Sequence, residues 1–171
     1  MKRRINKKGI TLVEIVIVLA VVAIMSTMVV SFSLACNLWV QQGVNRQNML
    51  SSFNSVKNAV HAYASAFDDE DHIFSVQGAR LCVDDVNAPM EQPYYLEFSE
   101  GALEGTSLSG QVLYPVDNIT GIGFSLIKNQ QEDALLICSV AYSIPAVSPD
   151  RAPETGTYTV AVALRVAAAE V

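Results

Sequence analysis

The stretch Lys7-Lys8-Gly9-Ile10-Thr11-Leu12-Val13-Glu14, followed by the apolar run Ile15 to Val30, decides the fold of this chain. Before it lies a basic leader, Met1 to Gly9, with Lys2, Arg3, Arg4, Lys7 and Lys8. The segment Ile10 to Val30 is 21 residues long, has only Thr11, Glu14, Ser26 and Thr27 as polar positions, and contains neither Pro nor Gly. As a helix it measures about 32 Å, enough to cross the hydrocarbon core of a bilayer. No Lys or Arg follows until Arg46. This charge asymmetry predicts a cytoplasmic leader and an exterior C-terminal part.

Glu14 is the anomaly. A carboxylate inside a membrane helix costs about 2.5–3.5 kcal/mol, and such residues usually have a partner and a function. No cation stands beside it in the intact sequence. A cut between Gly9 and Ile10 creates an α-amine on Ile10, four residues away on the same helix face. That amine has a reference pKa of about 7.7–8.0 and is largely cationic near neutral pH. Paired, within one chain or between two, each group neutralises the other in a low-dielectric setting.

Here the sequence resembles a family. Lys8-Gly9-Ile10-Thr11-Leu12-Val13-Glu14 is similar to the class III signal of type IV prepilins and pseudopilins: a basic leader ending in Gly, an apolar first mature residue, Glu four residues on, then a long apolar helix. The resemblance implies that a prepilin peptidase cuts after Gly9 and N-methylates Ile10. It implies that Glu14 pairs with the amine of a neighbouring subunit during filament assembly. The partners implied are the peptidase, other pilin or pseudopilin subunits, an inner-membrane assembly platform with its ATPase, and the membrane itself. The resemblance covers about residues 1–67. The Pro that many members carry partway along the apolar helix is absent, the first Pro being Pro89.

Other readings of the same stretch fit less well. A secretory signal has an apolar core of about 7–15 residues and a small-residue cleavage site, and this core is too long. Ser33-Leu34-Ala35-Cys36 imitates a lipoprotein site, with Ser33 poorly suited three before the Cys. A plain signal anchor explains the length and leaves Lys8-Gly9 and Glu14 as coincidences.

Composition narrows the rest. The 171 residues suit one compact domain plus the anchor. Removing Met1 to Gly9 takes five of the 11 basic residues and none of the 17 acidic ones, leaving a net charge of −11. Such acidity argues against binding nucleic acid by phosphate neutralisation, and the remaining bases are scattered. Of three Cys, Cys36 falls just past the apolar run, while Cys82 and Cys138 lie in exterior strand-like runs. Disulfides persist outside the cytoplasm, so Cys82–Cys138 is the expected bridge. The alternative is that both are small buried hydrophobes.

Beyond Val30 the apolar pattern turns amphipathic without a break. Leu34, Leu38, Asn45, Met49, Phe53, Val56, Val60, Tyr63 and Phe67 recur at three- and four-residue steps, the stripe of a half-exposed helix. The expected helix runs over 10–67, about 87 Å, with 10–31 in the membrane and 32–67 amphipathic. Asp68-Asp69-Glu70-Asp71-His72 ends it and reads as a solvated turn, without the Gly and terminal Glu of an EF-hand loop.

From Ile73 the period shifts towards two. Strands are expected at Ile73–Val83, Tyr94–Phe98, Gln111–Val116, Gly121–Lys128, Ala134–Ile144 and Thr157–Val166, with turn-rich gaps that include Asp84–Pro93 and Ser99–Gly110. Gly121–Lys128 and Ala134–Ile144 read as a hairpin, with Thr157–Val166 beside it. The fold class is α+β: one long helix, then an antiparallel sheet over 68–171 with one face on the helix stripe, as in pilins.

No chemistry announces itself. The two His, His61 and His72, match no zinc spacing, Gly121-Ile-Gly123 is too little for a nucleotide loop, and no Gly-x-Ser-x-Gly elbow occurs. The reading is a non-enzymatic filament subunit without cofactor, metal or small-molecule substrate. The competing class is a signal-anchored exterior binding module or enzyme that never polymerises.

Overall fold

The computed structural model describes residues 11–87, 93–128, 134–148, 151–165 and 168–169. One helix, α1, runs Leu12–Ala66. Among the described residues nine strands follow: β1 His72–Gln77, β2 Arg80–Asp85, β3 Tyr94–Ser99, β4 Ala102–Ser107, β5 Gly110–Pro115, β6 Ile119–Lys128, β7 Ala134–Ile144, β8 Glu154–Leu164 and β9 Ala168–Ala169. The fold is α+β, a long N-terminal helix packed on antiparallel sheets. The chain divides into two units between Gln41 and Gln42, inside the helix, whereas the composition shift in the sequence falls after Phe67.

The described part of the first unit is helix alone, and none of its residues is buried. Its backbone is satisfied within the helix. Its hydroxyls turn inward too: Ser26 donates to the Val22 carbonyl, Thr27 to Ile24 and Ser31 to Thr27, at 2.8–2.9 Å. Such back-bonding leaves no unpaired polar side chain at these three positions, as an apolar solvent requires.

The second unit holds the core. From α1, Met49, Val56, Val60, Tyr63 and the following Phe67 are buried, and Phe53 is partly so. The stripe also includes Ser52, Ala59 and Ala64, small residues absent from the apolar list read in the sequence. Ser52 is anchored rather than apolar: the Asp117 N–H donates to its Oγ at 2.9 Å. Leu34 and Leu38, expected in the stripe, are exposed in the single chain.

The β-region corrects the expectation of one sheet. There are two, a six-stranded sheet in the order β5-β4-β3-β2-β1-β9 and a three-stranded sheet β6-β7-β8. All pairings are antiparallel except β1 with β9. The hairpin β6–β7 and the strand beside it, β8, form as expected; the loop 129–133 lies outside the described residues. The run Ile73–Val83 is not one strand. It folds back at Gly78-Ala79, where Gly78 has φ +66, so that Gln77 pairs with Arg80. The gap Ser99–Gly110 contains a strand, β4, entered through Glu100 (φ +48) and Gly101 (φ +80). Two consecutive positive φ values are what a two-residue type I′ hairpin turn demands.

Gly105 in β4 is required for a different reason. A Cβ there would overlap the Tyr95 carbonyl oxygen and lie 3.0 Å from Leu96 Cα, both backbone atoms of the neighbouring strand. Neither can move without breaking the β3–β4 register. Gly105→Ala is therefore expected to destabilise the second unit by about 1–3 kcal/mol, the usual cost of overpacking. Chemical denaturation of the variant checks this, and an unchanged midpoint contradicts it.

The acidic cluster forms the expected turn, with Glu70 and Asp71 exposed, and it is also a clasp. The Arg165 N–H donates to both Asp68 oxygens at 2.9 and 3.1 Å, tying the helix end to the end of β8. Asp69 Oδ1 accepts from the Asp71 N–H at 3.1 Å and from His72 Nδ1 at 2.6 Å. The His72 ring meets Phe67 edge-on at 5.0 Å. The Val86 N–H donates to the Asp71 carbonyl at 2.8 Å. On the helix, Arg46 holds Glu154 of β8 at 2.7 Å. His61 is exposed.

Candidate processing and assembly site

Gly9 and Ile10 lie outside the described residues, which begin at Thr11. The site is therefore built from Thr11, Glu14 and the helix they start. Glu14 has the local partner that charge counting overlooks. The Thr11 N–H donates to Glu14 Oε2 at 2.8 Å and the Thr11 hydroxyl donates to the same oxygen at 3.1 Å. The Glu14 N–H donates in return to Thr11 Oγ1 at 3.3 Å. This is a reciprocal capping box, with Thr11 at the N-cap and Glu14 at the third helical position. The Ile15 N–H closes the first turn on the Thr11 carbonyl.

Before any cut, Glu14 is already held by Thr11, with both bonds ending on Oε2. The sequence carried the signal, Thr-x-x-Glu ahead of an apolar run, but attention to the missing cation hid it. A capping carboxylate also suits the positive end of the helix dipole.

Downstream, α1 holds a window of mean hydropathy 2.8, none of it buried by the chain's own fold. By length and composition it is one helix able to cross a membrane. The arrangement is a capped, carboxylate-bearing helix start leading into an uncovered apolar rod. Residues 4–30 match the family model for the prokaryotic N-terminal methylation motif.

They form a type IV prepilin-type class III signal.

The prepilin signal implies processing by a prepilin peptidase and association with a membrane. No curated protein and no solved structure matches the chain.

The cysteines answer differently from the expectation. Cys36, Cys82 and Cys138 are all free thiols. Cys82 belongs to the six-stranded sheet and Cys138 to the three-stranded one. Alternation along β2 puts Leu81 and Val83 into the core, so Cys82 points to the opposite face. There it is paired across the sheet with Tyr95 and buried beneath Arg80. Cys138 faces the core between Phe124 and Val160, and burial pushes its thiol up to about 12. The bridge is thus not formed, and each Cys acts as a small buried hydrophobe. Reduction is expected to leave the unfolding midpoint of the second unit unchanged. A native disulfide contributes about 2–4 kcal/mol, so a clear drop in the midpoint under reductant contradicts the assignment.

The outer-face cleft around Cys82 is lined by Gln77, Arg80, Tyr95 and Thr106. Its one cation is engaged: Arg80 forks onto both Glu97 oxygens at 2.8 Å and lies 4.5 Å over the Tyr95 ring. Among the described residues no group of three or more His, Cys, Asp or Glu is placed to hold a metal ion.

Proposed function

We propose that this chain is a structural subunit of a type IV pilus or a related secretion or DNA-uptake pseudopilus. The observation that carries the reading is the methylation motif at residues 4–30 leading directly into a helix that its own fold leaves uncovered. The chain is held in the inner membrane with its leader cytoplasmic and its β-rich part outside. The peptidase cuts after Gly9 and methylates Ile10. An assembly platform then moves the subunit from lipid into a filament, where the helices of other subunits replace the acyl chains.

The physical logic is a change of solvent for one helix. Its apolar surface is satisfied by lipid before assembly and by protein afterwards, so little hydrophobic energy is lost in transit. What differs is the electrostatics at its start. In the filament, Glu14 and the Ile10 amine become neighbours in a dry environment, where an unpaired charge is strongly destabilising and a paired one is tolerated. The pair therefore specifies axial register. Nothing in this role calls for catalysis, a cofactor or a small-molecule substrate, and the acidity of the mature chain disfavours nucleic acid.

Expression with a complete assembly system tests the reading. The processed chain is expected in the sheared, sedimenting filament fraction. Processed chain that stays wholly in the membrane as monomer overturns the reading in favour of an anchored module.

A further inference from the structure

We propose that the bilayer holds the unassembled chain in an outward register, with Trp39 in the outer headgroup layer and Glu14 in the inner one. The inference rests on the single-pass anchoring read above and moves the membrane window outward from the 10–31 expected from the sequence. Large exposed apolar residues run from Leu12 through Phe32, Leu34, Leu38 and Trp39 to Val40. Those 29 residues span about 44 Å, whereas a hydrocarbon core is about 30 Å thick and takes about 20 residues. The bilayer must therefore leave part of the run outside.

Two registers compete. A window beginning at the leader boundary, Ile10 to Val30, puts Glu14 in hydrocarbon and leaves Trp39, 74% exposed, nine residues or about 13.5 Å beyond the outer edge, in water. A window moved six residues outward, Val16 to Cys36, contains no charged residue. Of its four hydroxyl residues, Ser26, Thr27 and Ser31 are already bonded to the helix backbone, and the fourth, Ser33, lies within three residues of the outer edge. The shift exchanges Ile10, Leu12, Val13 and Ile15 for Phe32 and Leu34, a net loss of two large apolar residues. On insertion scales each is worth about 0.3–0.6 kcal/mol, so the loss is about 1 kcal/mol. A carboxylate costs about 2.5–3.5 kcal/mol at the helix centre; Glu14 would sit only about 6 Å inside the edge, and even about half of that cost outweighs the loss.

The shifted window also places both end residues where their chemistry fits. Trp39 lies three residues beyond the outer edge, about 4.5 Å, and Trp is the side chain that prefers the headgroup level. Glu14 lies two residues beyond the inner edge, about 3 Å, where its carboxylate, capped by Thr11, meets water. The acid and the new amine are thus solvated while the chain waits in the membrane. Their desolvation, and with it the need to pair, begins on entry into the filament.

Trp39 is the only Trp in the chain, so its fluorescence reports one depth. The full chain is reconstituted in phosphatidylcholine–phosphatidylglycerol vesicles carrying bromine either near the acyl carbonyls or near the chain ends. The protein is expected to float with the vesicles, and Trp39 to be quenched most by the carbonyl-proximal bromines. Floating protein whose Trp39 is quenched by neither lipid, or most by the chain-end bromines, overturns the register while leaving the anchor intact. Protein that does not float overturns the anchoring reading and the register with it. Cys36 supplies a second readout, because Cys82 and Cys138 are buried. A charged, impermeant maleimide is expected to label Cys36 roughly tenfold more slowly than a Gln41→Cys thiol, since only thiolate within its reach reacts. Equal rates overturn the register.

Discussion

Gly9→Leu leaves the chain at precursor length. Gly9 stands between Lys7-Lys8 and the apolar run that opens at Ile10, at the proposed cleavage boundary. Gly is about 0.8–1.0 kcal/mol worse than Ala in a helix, and Leu is among the best helix formers. Leu at this position extends the favourable helix across the scissile bond and fills space that a Gly leaves open to the enzyme. Both effects raise the barrier to cleavage. A rise of about 1.4 kcal/mol is already tenfold in rate, so the mature form is expected to fall by roughly that factor or more. Immunoblotting of cells that contain the peptidase measures it. A mature band of normal size and amount refutes the boundary.

Glu14→Ala is cut normally and fails to assemble. Two roles meet on this side chain, a cap seen in the structure and a charge pair proposed for the filament. One is local: Glu14 caps the helix through Thr11. Losing a cap costs about 0.5–2 kcal/mol, and a long apolar helix held by lipid or by neighbours absorbs that. The other is the charge pair with Ile10. Deleting one member of a buried pair leaves the other uncompensated, at about 3–5 kcal/mol, which is two orders of magnitude or more in each subunit's association. Glu14→Gln distinguishes them, because Gln serves in a capping box but carries no charge. Both variants are expected to yield mature chain in the membrane and no sheared filaments. Normal filaments from Glu14→Gln would reduce the role of Glu14 to capping.

The methylation motif is legible in the sequence because it is local. Leader, Gly9, Ile10, Glu14 and the apolar run are contiguous, and the motif at residues 4–30 depends on no tertiary contact. The helix was equally readable: its observed span, Leu12–Ala66, falls just inside the expected 10–67 because its periodicity is long. Thr11 was legible too but overlooked, since Thr-x-x-Glu was read for its charge and not for its geometry.

The β-region was harder for physical reasons. β4 has one large core residue, Leu103, so period-two counting found nothing in Ala102–Ser107; a close backbone approach at Gly105 holds it in place instead. The break at Gly78-Ala79 sits inside a continuous strand-like run, where only a positive φ marks it. The division into two sheets depends on which strands pair at long range, which local pattern does not encode. The Cys82–Cys138 bridge was proposed from compartment alone. Parity was the better guide: Cys82 stands between two core residues, Leu81 and Val83, and so faces away from the core that Cys138 joins. The acidic cluster is the solvent-facing turn that its composition suggests; what composition does not encode is the clasp that Asp68 makes with the end of β8.

The account turns on one covalent event, and the intact mass of the chain from the membrane fraction of peptidase-containing cells reports it directly. The predicted result is a chain beginning at Ile10, lacking Met1 to Gly9 and heavier by one methyl group on its N-terminal amine. A chain that still begins at Met1, unmethylated, contradicts the account.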